Sequence, residues 1–104
     1  MTGFVTVYVA CANAAEAEKI ARAAIDERLA ACANILPPMQ SIYRWQGQVE
    51  QAQEVAIIFK TVADKMPALE ILVKSMHSYD CPCIVAWPIV AGNAPYLQWI
   101  TESL

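Results

Sequence analysis

An α+β fold of order βαββαβ with a short terminal helix is predicted by three features of this 104-residue sequence. Period-two patterning over 4–11 and 48–61 reads as strands, and further strands are expected over 31–45 and the apolar run 83–90. Between them, 14–29 and the stretch after Asp64 carry apolar residues three and four apart, the pattern of helices. Trp45-Gln46-Gly47-Gln48 separates the second and third strands, and Gly47 can take positive φ, so those strands form a hairpin.

Each element follows from its own residues. The first strand puts Val5, Val7 and Val9 on one face. Asn13 followed by Glu16 has the spacing of a capping box and starts a helix at 14. That helix gathers Ala17, Ile20, Ala21, Ala24, Ile25 and Leu29 into one stripe, and its alanines let it pack close to a sheet. Glu18 and Arg22, four apart, add a flanking pair. The second strand is interrupted at Pro37-Pro38, which supply no ladder N–H and mark an edge, a bend or a bulge. The third puts Val55, Ile57 and Phe59 on one face and Glu54, Ala56, Ile58 and Lys60 on the other, so both faces are expected to be covered. Asp64 is the expected N-cap of the second helix, Pro67 lies in its first turn, and Leu69, Leu72, Val73 and Met76 form its stripe. Asn93 and Pro95 open a terminal helix carrying Tyr96, Leu97, Trp99 and Ile100. Two halves joined through a hairpin give a ferredoxin-like split βαβ arrangement in a single domain over 1–104.

The composition is 58% hydrophobic and only 16% charged, against a usual charged share of about 25%. A small domain has much surface per residue, so part of that apolar excess is expected to face another subunit. The hairpin strands are longer than the helices can cover, which also predicts association. A net charge of −3 with seven scattered basic residues argues against nucleic acid. The apolar run 83–90 is too short to span a bilayer and contains Pro88. The N-terminus lacks the basic region of a signal peptide, so the expected location is the cytoplasm, with four cysteines kept as thiols.

His77 is the only histidine and three isolated glycines build no phosphate loop, so no enzyme motif is present. His77-Ser78-Tyr79-Asp80-Cys81-Pro82-Cys83 is the segment richest in donors. Thiolate with imidazole suits Cu(I) or Zn, although this spacing matches no standard zinc motif. The plainer alternative is a helix-end histidine with two small apolar thiols. Cys11 and Cys32 read first as buried small side chains. Trp45, Trp87 and Trp99 are ligand-stacking groups or packing anchors. Glu54 and Lys60, charged among apolar strand positions, line a polar cleft with Tyr43 or Arg44, or else form a salt bridge.

With these residues in view, the sequence resembles the CutA family. The resemblance is carried by Leu29-Ala30-Ala31-Cys32-Ala33-Asn34-Ile35, Ser41-Ile42-Tyr43-Arg44-Trp45-Gln46-Gly47, Glu50, Glu54, Lys60-Thr61, and His77-Ser78-Tyr79 followed by Pro82. It extends over essentially the whole chain. It implies a ferredoxin-like protomer in a homotrimer, non-catalytic, concerned with tolerance to divalent cations, copper in particular. Copper or another divalent metal is the implied ligand, with Cys11 and His77 matching the proposed metal ligands. Tyr43, Trp45, Glu54, Lys60 and Tyr79 match positions of an inter-subunit cleft, where a PII-like signalling trimer would hold a small ligand. The sequence departs from the family at Ser78, where proline is usual, at Cys83, where glutamate follows the proline, and at Pro37-Pro38, where Pro-Gly is usual. Cys83 puts a soft thiol where a hard carboxylate is expected.

Overall fold

The alternation over Phe4–Cys11 produces a central strand, β1, in the computed structural model, which describes residues 2–104. It is followed by α1 (Ala14–Asp26), β2 (Cys32–Ile35), β3 (Met39–Trp45), β4 (Gln48–Val62), α2 (Met66–Met76), β5 (Ile84–Pro88) and α3 (Ala94–Glu102). The five strands form an antiparallel sheet whose main path is β2-β4-β1-β5. β3 pairs only with the outer half of β4, from Met39 opposite Glu54 to Trp45 opposite Gln48, and the two extend as a ribbon. The molecule is accordingly elongated, 44 × 26 × 24 Å.

One sheet face carries Val7, Val9, Cys11, Val55, Ile57 and Phe59, and α1 and α2 cover it. Ala17, Ile20, Ala21 and Ala24 from α1 and Leu69 and Val73 from α2 are buried there. A fully buried large apolar side chain contributes about 1.5–3 kcal/mol, so the stability of the protomer resides in this layer and not in the ribbon. The register puts Thr6, Lys60, Cys32 and Trp87 on the opposite face. There α3 buries Ile100 and brings the Tyr96 hydroxyl to 3.4 Å from Cys32 Sγ. Tyr8 and Trp87 stack on the same face with ring centroids 6.3 Å apart, and Trp87 stays 46% exposed. The expectation that both faces are covered therefore holds only partly within one chain.

Three boundaries differ from expectation. α1 stops at Asp26, short of Leu29, because Arg28 turns into the left-handed region at φ 58°. Leu29 N–H donates to the Ala24 carbonyl and Arg28 N–H to that of Ile25, the paired bonds of a Schellman ending. Asp64 does not cap α2: it lies in a 3₁₀ turn over Ala63–Lys65, and the cap position is Lys65, with no side-chain bond. β5 is shorter than 83–90, whereas the run 31–45 is interrupted at 36–38 as its prolines suggest, giving β2 and β3.

Candidate metal centre and adjoining cleft

Three elements converge where β1 ends. β1 delivers Cys11, buried; the first turn of α1 delivers Glu16; and His77 sits at the C-cap of α2. Asn13 caps α1 by accepting from Glu16 N–H at 2.9 Å, which aims the Glu16 side chain back along the chain. One Glu16 oxygen accepts from Ala12 N–H at 2.8 Å and the other from Ser78 N–H at 2.7 Å. The donor atoms of Cys11, Glu16 and His77 all lie within 4.8 Å of one another. The two residues expected as metal ligands are thus brought together, with a carboxylate that the sequence had shown only as part of a helix cap.

The donors of this cluster are already committed. Tyr79 N–H donates to His77 Nδ1 at 3.0 Å, so Nδ1 carries no proton and Nε2–H donates to the Ala10 carbonyl at 2.7 Å. Burial, with the charges of Glu16 and Glu54, pushes the Cys11 thiol up to about 12. A metal takes thiolate and a free imidazole lone pair. With the thiol raised and both ring nitrogens of His77 hydrogen-bonded, a cation here would have to displace the Cys11 proton and one of the imidazole's contacts. The cluster acts as a brace, tying the segment after α2 to the ends of β1 and α1.

The braced segment runs over the opposite sheet face and closes one side of a cleft of about 630 Å³. The cleft is lined by Tyr8 and Ala10 of β1, Met39, Ser41, Ile42, Tyr43 and Trp45 of β3, Glu54 of β4, and Tyr79, Asp80, Cys81 and Cys83. Tyr79 donates to a Glu54 oxygen at 3.0 Å. Burial, then Glu54's bond and charge, pushes the Tyr79 hydroxyl up to about 12, so it remains a donor. Tyr8 donates to Met39 Sδ at 3.6 Å. Burial raises the Tyr8 hydroxyl, and the charges of Cys83 and Glu54 raise it further.

Of the five residues expected at a cleft, Tyr43, Trp45, Glu54 and Tyr79 line this one. Lys60 does not. It shares the face of Glu54 but lies six residues further along β4, roughly 20 Å at strand rise. There its ammonium donates to Asn34 Oδ1 at 3.1 Å and approaches Cys32 Sγ at 4.0 Å. Arg44 reaches the Gly47 carbonyl in the turn instead of the cleft. Tyr8 and Met39 were not anticipated. Tyr8 occupies the alternate positions of β1, and Met39 follows the prolines, so only the strand pairing shows them to be neighbours.

The family model described as CutA1 divalent ion tolerance protein matches residues 5–103. The Divalent-cation tolerance protein CutA of Thermus thermophilus is 49% identical over 87 residues, 84% of each chain. Protein CutA of Homo sapiens is 44% identical over 100 residues, 93% of this chain. The chain spans 56% of the length of that human relative and of its mouse counterpart. Among solved structures, a protein of Archaeoglobus fulgidus described as a periplasmic divalent cation tolerance protein superposes with TM-score 0.94 at 41% identity, covering 96% of this chain and 97% of that one. The Thermus thermophilus structure gives TM-score 0.94 at 44% identity, with the same coverage.

Proposed function

The chain belongs to the CutA1 divalent ion tolerance family, and from that premise we propose that it is a non-catalytic, metal-responsive homotrimer serving tolerance to divalent cations, copper among them. The observation that carries this reading is the open cleft whose lining includes Cys81, Cys83, Met39, Glu54 and Asp80. A cation at Cys11 and His77 would have to displace the Tyr79 N–H from the imidazole and remove a buried thiol proton. The reading therefore gives those residues the brace and gives cation contact to the cleft. The Thermus and Archaeoglobus relatives are named for divalent-cation tolerance.

Association is supported by the ribbon. Ile42 is 68% and Trp45 53% exposed on a two-stranded extension that one chain leaves uncovered, and an isolated two-stranded hairpin is marginal in water. The family resemblance implies that three subunits meet, each a single ferredoxin-like domain; the strand order β2-β4-β1-β5 agrees with that protomer. Four free cysteines fit the cytoplasm, whereas the Archaeoglobus relative is described as periplasmic. Among the described residues no helix is long and apolar enough to cross a membrane. Nucleic acid and membrane are not partners in this reading.

Calorimetric titration with Cu²⁺ and with Zn²⁺ tests the role. Saturable uptake with release of protons is expected, and heats no larger than dilution for both ions would contradict it. A second reading, a PII-like trimer holding a small organic ligand between subunits, is favoured by the aromatic lining from Tyr43, Trp45 and Tyr79. Such a ligand would be lost on Glu54→Ala and indifferent to the thiols.

A further inference from the structure

We propose that the cleft takes a soft, thiophilic monovalent cation of the Cu(I) type through the sulfurs of Cys81, Cys83 and Met39. This inference rests on the metal-responsive reading above and names its site and its class of ion. Cys81 and Cys83 flank Pro82, whose fixed φ and missing N–H keep this stretch out of the helix and the ladder. Both thiols line the cleft and both are exposed, so they are accessible to an ion from solvent. Met39, the first residue of β3, lines the same cleft, its sulfur 3.6 Å from the Tyr8 hydroxyl. Cys83 lies close enough to Tyr8 and Glu54 for each to act on the others electrostatically. Three sulfur-bearing residues from two segments therefore line one cavity.

The ligand chemistry selects the ion. Thiolate and thioether donors favour Cu(I) over the harder divalent ions, which prefer imidazole or oxygen. The chain's single histidine is engaged in the brace on both ring nitrogens, so no imidazole competes for a borderline metal at the cleft. Binding transfers no electron. A sulfur–Cu(I) bond forms as each coordinating thiol gives its proton to solvent, and the thioether coordinates without losing one. The brace has a defined part in this: Glu16 holds Ser78 N–H and His77 holds Tyr79 N–H, fixing the chain just before the two cysteines. Cys11, buried on the helix-covered face, contributes no donor to the cleft.

The test is an anaerobic competition of the full chain for Cu(I) against bicinchoninate, reading the colour of the chelator complex. Wild type is compared with Cys81→Ser, Cys83→Ser, Met39→Leu and Cys11→Ser, each checked for an unchanged thermal midpoint. The expected result is a loss of at least about tenfold in Cu(I) affinity for each serine variant at the cleft, and a smaller loss for Met39→Leu. Cys11→Ser should stay within about twofold of wild type. Wild-type affinity in both Cys81→Ser and Cys83→Ser overturns the proposal, as does a loss confined to Cys11→Ser. If the wild type ignores Cu(I) but takes up Zn²⁺ or Cu²⁺, the soft site is wrong and the metal-responsive reading survives. If it takes up none of the three ions, both fall.

Discussion

Glu16 shows how one side chain serves two neighbours at once. Its oxygens accept from Ala12 N–H and from Ser78 N–H, 62 residues away in sequence. Burial alone would raise its carboxyl; the bonds from Ala12 and Ser78, with nearby His77, outweigh that and hold it below the ordinary 4.5. A carboxyl depressed in the folded state adds stability above its unfolded value, and that stability is lost as pH falls through the folded value. Denaturant midpoints of the wild type should therefore decline below about pH 4.3. Glu16→Gln should start about 1.5 kcal/mol less stable at pH 7 and show a shallower acid decline. Equal acid slopes in the two proteins would remove Glu16 from this role. The Asn13–Glu16 spacing made the cap legible in the sequence. The bond to Ser78 was not legible, because it exists only once α2 and the sheet have brought His77 beside β1.

The elements were readable wherever burial imposed a period, and less so at their ends. β1, β4 and the stripes of α1 and α2 match the apolar pattern because a helix–sheet layer enforces it. The end of α1 was missed because its left-handed position holds Arg28, not the glycine or asparagine that signals a Schellman ending. Arginine there has a Cβ penalty that glycine lacks, so Arg28→Gly should stabilise the protein by about 0.5–1 kcal/mol in urea unfolding. A destabilisation of that size would mean that the Arg28 side chain contributes more than its backbone strain costs. The turn of the ribbon behaved as its residues suggested. Gln46 and Gly47 both take positive φ, at 49° and 79°, as a two-residue hairpin loop of the primed type requires. Glu54 and Lys60 illustrate a different limit: period two placed them correctly on one face, but a shared face says nothing about separation along fifteen residues of strand.

At the scale of the molecule, the apolar excess visible in the composition corresponds to places that one chain leaves bare. Ile42 and Trp45 on the ribbon and Val85 and Trp87 at the β5 edge are large, apolar and exposed. The ribbon lies outside the helix-covered core, so a charge at its tip should disturb assembly far more than folding. Ile42→Glu with Trp45→Glu is expected to shift sedimentation toward a single chain while near-native helix and strand content is kept in circular dichroism. An unchanged sedimentation coefficient would show that the ribbon is not an association surface. The cleft belongs to this scale as well, since its walls come from β1, β3, β4 and the segment before β5. A third of its lining was legible as residue types, Tyr43, Trp45, Glu54 and Tyr79, and Cys81 and Cys83 only as part of a donor-rich segment.

Native mass spectrometry of the full chain, with and without added copper, tests the central claim most directly, because subunit number and bound ions are read from one species. The account predicts a three-chain assembly that gains copper mass and retains it through mild activation. A single chain that carries no copper at any ratio would contradict it.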